Sequence, residues 1–122
     1  VLQIKAGAES GVSGKLRSVE INGWIVEVEV LDVAQRPHWE IRCSITRSKE
    51  RAPHETRGHR FYVPPEVAEA RQLDRLSRKN RYALLGSAAR RIILRELDAI
   101  FSEPEGGLES LRPIGAEDLD GA

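Results

Sequence analysis

Apolar and polar residues alternate on both sides of Asn22-Gly23. That dipeptide is the strongest short-range hairpin signal, because both central residues of a type I′ turn need positive φ. It sets Ile21 opposite Trp24 and Val19 opposite Val26 on one face, with Glu20 beside Ile25 and Ser18 beside Glu27 on the other. A four-residue connection over 34–37 then pairs Val30 with Ile41, Val28 with Cys43 and Val26 with Ile45, and places Glu29 opposite Arg42. Both turns bury the same apolar face. A fourth strand over 59–63 turns Phe61 and Val63 inward and Arg60 and Tyr62 outward.

Pro64-Pro65 ends that strand, and Pro65 followed by Glu66 and Glu69 opens a helix. From there to Phe101 the residues favour helix, but in two phases. Val67, Ala70 and Leu73 mark the apolar side of the first part; Tyr82, Leu85, Ala89, Ile92, Ile93, Leu97 and Ile100 mark that of the second. One unbroken helix would put Arg71, Arg75 and Arg78 on the second stripe, so a break within 77–81 is expected, capped by Ser77 or Asn80. Gly86 on the inner stripe implies close packing against the sheet or a partner helix. The expected architecture is α+β: a four-stranded antiparallel β-meander with two C-terminal helices, over 65–76 and 80–101, packed on one face. A loose arm over 1–14 precedes this single domain of 15–101. An acidic tail over 102–122 follows it and has room for one short strand or turn. A domain of this size buries a core without a metal or a disulfide.

Charge changes the picture where composition does not. The 122 residues sum to zero, but residues 36–95 hold 15 Arg or Lys against six acids and residues 102–122 hold one Arg against six acids. A basic middle is followed by an acidic tail, read as solubilising or as a competitor folding over the basic surface. No apolar run reaches a membrane span, no secretory signal is visible, and the single Cys43 forms no internal disulfide. A cytoplasmic setting is expected.

Candidate chemistry is sparse. Phosphate-loop, dinucleotide, nucleophile-elbow and zinc-protease motifs are all missing from the sequence. The spacing of His54 and His59 fits no standard zinc pattern, and both read as surface histidines. Cys43 falls on the core face, where a buried thiol is the ordinary outcome. His54 or His59 beside Arg51, Arg57 or Arg60 has the residue types of a small ribonuclease, but no spacing requires it. No cofactor, metal or catalytic residue is expected.

The arginines carry more. Arg47, Lys49, Arg51, Arg57 and Arg60 surround the connection between the third and fourth strands, and Arg71, Arg75, Arg78, Lys79 and Arg81 follow along the first helix and the break. Meeting in space, they would form a strip able to neutralise several phosphates. The outer sheet face opposes this: it carries Glu20, Glu27, Glu29 and Glu40 against Arg42 and Arg60, with Tyr62 its only aromatic, and is no base-stacking platform. The reading is a small non-enzymatic protein contacting nucleic acid weakly specifically through the basic loop and helix. The alternative is a protein–protein interaction or assembly module whose arginines pair with its own acids and a partner's. Trp24 and Trp39 read as core. Tyr82, Gly86, Ala89 and Ile93 form a candidate helix-pairing face, and a homodimer is expected.

Overall fold

The computed structural model of the chain describes residues 17–102 and 111–120. The expected arm over 1–14 and the first half of the expected tail lie outside them. Five strands form one sheet in the order β1 (Arg17–Ile21), β2 (Trp24–Gln35), β3 (Trp39–Ser48), β4 (Glu55–Tyr62) and β5 (Leu111–Pro113). Neighbours among β1–β4 are antiparallel, and β5 runs parallel to β4. Helices α1 (Pro65–Ala70), α2 (Arg78–Arg95), α3 (Leu97–Phe101) and α4 (Ala116–Asp120) accompany the sheet among the described residues, with a 3-10 turn at Leu73–Arg75. The sheet therefore has a fifth strand, drawn from a segment expected to be tail.

The first hairpin forms in the expected register, with Asn22 at φ 53° and Gly23 at φ 85°. The second differs. Its connection is the three residues Arg36, Pro37 and His38, closed by Gln35 opposite Trp39. This moves the pairing near the turn by three residues, an odd shift that by itself would exchange inner and outer positions. A bulge between Val30 and Asp32 takes one residue back, so Val30 pairs with Cys43, Val28 with Ile45 and Val26 with Arg47. The apolar face survives although the expected pairs do not. Strict alternation would have carried Asp32 inward; the bulge turns it out, where it pairs with Arg36 at 2.7 Å, and seats Val33 against the core instead. Glu29 lies opposite Ser44, not Arg42.

Val26, Val28, Val30, Ile41, Cys43, Ile45, Phe61 and Val63 supply the sheet side of the core; Leu73, Leu85, Ala88, Ala89, Ile92 and Ile93 supply much of the helix side. The chain breaks before α2 as expected, and the Ser77 side chain accepts a hydrogen bond from the Asn80 N–H at 3.1 Å. A second break at Glu96, which the uninterrupted apolar stripe concealed, separates α2 from α3. Ala70 is exposed, whereas Leu73 is buried in the 3-10 turn that follows the left-handed Gln72. Ile114 and Leu119 of the C-terminal segment are also buried. Among the described residues no helix of the core lies on the opposite sheet face, and Ile25 and Leu31 stand about half exposed on β2.

Candidate functional site

The basic residues divide between the two ends of the sheet. β3 starts at Trp39, beside the start of α2, and reaches Arg47 eight residues later, about 26 Å away at ~3.3 Å per residue. α2 covers that distance in the same direction, so Leu94 and Arg95 at its end line a cleft with Trp24 and Arg47.

At the Arg47 end the guanidinium lies between two rings, 4.2 Å from the Trp24 centroid and 4.4 Å from that of Phe101. It donates to Glu55 at 3.1 Å. Arg57 approaches the Phe101 ring at 5.2 Å, and the Lys49 ammonium approaches Trp24 at 5.3 Å. These contacts hold cations on aromatic faces and close that end of the core. The strand pattern contained a signal for it: Arg47 has the parity of Cys43 and Ile45, and Arg57 that of Phe61, so both point to the helix side. The connection between β3 and β4 is only six residues, 49–54, because β4 starts at Glu55, four residues before the strand expected over 59–63; Arg51 is exposed in it at φ 68°. A cleft of about 440 Å³ opens beside Arg47 and the first hairpin turn, lined by Trp24, Val26, Leu94 and Leu97 together with Arg95, Glu96 and Asp98.

At the other end Trp39 is the anchor. Its indole N–H donates to Asp74 at 3.1 Å, and the Arg81 guanidinium stacks 4.2 Å from its ring while donating to the carbonyls of Leu73 and Leu76. Both tryptophans are half-buried ends of the core rather than its centre. A cleft of about 640 Å³ here takes in His38, Trp39, Glu69, Gln72, Asp74 and Arg75. Arg71 pairs with Asp120, while Arg78 and Lys79 are exposed in the first turn of α2. Arg60 lies on the outer face opposite Arg42, at the level of β5. Arg60 apart, the two halves of the expected strip are thus at opposite ends of the sheet, and Arg47, Arg71 and Arg81 are engaged within the fold.

Tyr82, Gly86, Ala89 and Ile93 face the chain's own sheet. Tyr82 donates to the Val30 carbonyl beside the bulge at 2.9 Å, and a Cβ built on Gly86 would stand 3.4 Å from a Val30 methyl. Ala89 and Ile93 are fully buried there. Gly86 brings α2 close to β2, within one protomer.

Comparison with known protein families, with curated proteins and with solved structures returned no match to this chain. The chemistry of the sites therefore rests on their own residues. Cys43 is buried opposite His59, and burial pushes its thiol up to about 12 against a partial opposing effect of Arg90. A thiol so protonated is a poor nucleophile. His59 is buried edge-on to Phe61 at 5.1 Å, not at the surface as expected, whereas His54 is exposed. Among the described residues no three His, Cys, Asp or Glu side chains gather into a metal-binding group, and no helix is long and apolar enough to cross a membrane.

Proposed function

We propose that this chain is a non-enzymatic protein-interaction module that assembles with further copies of itself. The observation that carries the reading is the pairing of its arginines with its own acids. Arg36 pairs with Asp32, Arg47 with Glu55, Arg71 with Asp120, Arg95 with Asp118 and Arg112 with Glu96. Two cations of the expected strip, Arg47 and Arg71, are held in these pairs, Arg81 is turned onto backbone carbonyls, and most of the others are divided between two ends of the sheet, which weakens the case for one continuous phosphate-binding strip. A protonated, buried thiol and a buried histidine leave little for catalysis. Sedimentation velocity in about 50 and 500 mM salt tests the reading. A defined oligomer persisting at high salt supports it; a monomer throughout overturns it.

Nucleic-acid binding is a second reading, favoured by one local feature. The first turn of α2 contains Arg78 and Lys79 and no acid, opposite to what the helix dipole favours. With Arg75 nearby, those cations would serve a phosphate at the helix start. Fluorescence anisotropy with labelled single-stranded DNA, single-stranded RNA and duplex DNA at about 50 and 200 mM salt separates the readings. Affinity that falls steeply with salt and disappears on reversing Arg51, Arg57 and Arg78 supports nucleic-acid contact; no binding at low salt removes it.

A further inference from the structure

The C-terminal segment, residues 111–120, is seated like a bound peptide. Its backbone adds to the edge of β4, with Leu111 opposite Arg60 and Pro113 opposite Tyr62, and the Ile114 N–H donates to the Tyr62 carbonyl at 2.8 Å. Ile114 is wholly buried and Leu119 nearly so, two apolar plugs set five residues apart. Between and beyond them the segment presents acids to arginines of the body. The Asp118 carbonyl accepts from Arg91, its carboxylate lies 3.5 Å from Arg95, and Asp120 pairs with Arg71. The Asp118 carboxylate also accepts the Gly115 N–H at 3.0 Å, which fixes the turn into α4. In the reverse sense, Arg112 of the segment pairs with Glu96 at the break between α2 and α3.

This is strand addition with side-chain pockets, a mode by which sheet edges take extended peptides. The seat combines an open strand edge, two apolar sockets and three guanidinium groups. Its hold is modest for what it orders: two buried apolar side chains, the buried Asp118 and a set of ion pairs fix ten residues, while Leu111 remains 45% exposed. A second copy carries the one sequence whose fit to this seat is on display. Exchange between copies remakes every contact with none lost, which makes it a low-cost route to a dimer.

We infer that the groove formed by the β4 edge, Arg71, Arg91 and Arg95 takes the C-terminal segment of a second copy, giving a reciprocally exchanged dimer. The inference rests on the assembly reading and supplies its interface. Charge and register identify the occupant: Leu111 to Pro113 extended, Ile114 and Leu119 in the sockets, and Asp118 and Asp120 on the arginines.

The test uses the full chain. Nitrogen-15-labelled wild-type protein is mixed with unlabelled protein carrying a nitroxide on Ala116→Cys, an exposed position of α4. With the spin-labelled chain in fourfold excess, exchange predicts that the amide signals of Tyr62 and Arg91 in the labelled copy lose more than half their intensity. It also predicts that adding Leu119→Asp to the spin-labelled chain restores them. Intensity loss confined to other surfaces, or none in a sample that sediments as a dimer, overturns the exchange and leaves assembly standing. A monomer in sedimentation with no intensity loss overturns both.

Discussion

Single side chains explain why the fold tolerates polar atoms near its core. Arg47 points to the helix side because its strand parity requires it, and two aromatic rings and Glu55 make the position acceptable. Replacing it by alanine removes two ring contacts, an ion pair and the packing of its stem, and should cost about 2 kcal/mol in urea unfolding. Arg47→Lys should recover only part of this, since an ammonium lacks the planar group that fits between rings. Tyr82→Phe loses one hydrogen bond to Val30 and should cost ~1 kcal/mol. Cys43 gives a prediction with a sign. Its thiol is raised to about 12 in the fold, so the unfolded chain ionises first as pH rises past the ordinary cysteine value of about 8.5. Its contribution to stability is complete below that value and declines as pH climbs towards 12. The urea midpoint should fall between pH 7.5 and pH 10.5, and less so for Cys43→Ala. Native protein should also react with Ellman's reagent far more slowly than protein in guanidinium.

At the scale of elements, local chemistry was readable and long-range partnership was not. Asn22-Gly23 determines its turn through positive φ, and the two-phase stripe after Pro65 requires a break that Ser77 caps. Ser77→Ala should therefore cost about 1 kcal/mol, with the fraying of α2 visible in the hydrogen exchange of Asn80 and Arg81. The β2–β3 hairpin shows where such reading stops. Alternation identified the buried face, yet a loop of three or four residues looks the same from composition, and nothing around Leu31 announces a bulge. The second helix break at Glu96 is equally silent, because Ile92, Ile93, Leu97 and Ile100 continue the stripe across it. β5 was harder still. A three-residue strand has too few positions to show a period, and its pairing with β4 spans about fifty residues of chain. Of the candidate site, the identities of the cations were legible and their partners were not, since an ion pair such as Arg71 with Asp120 leaves no periodic trace.

For the whole molecule, the chain's neutral charge sum has a structural counterpart. The basic middle and the acidic end meet, and Asp118 and Asp120 lie on arginines of the body. Raising salt from about 50 to 500 mM should loosen these ion pairs first, detectable as faster hydrogen exchange at Asp118 while the amides of Ile114, Ile41 and Cys43 remain protected. The bulge has a different consequence, for the history such a chain can have. Leu31 is the one residue of the β2–β3 ladder without a partner opposite, so its loss would leave Val30 on Cys43 and Asp32 on Arg42, with the same face inside. Loss of any single residue among Val26 to Val30, where the ladder is regular, would carry valines into water and acids into the core, and selection should remove it. Diverged copies of this gene should then show their gaps at Leu31 and an unbroken run through the valines.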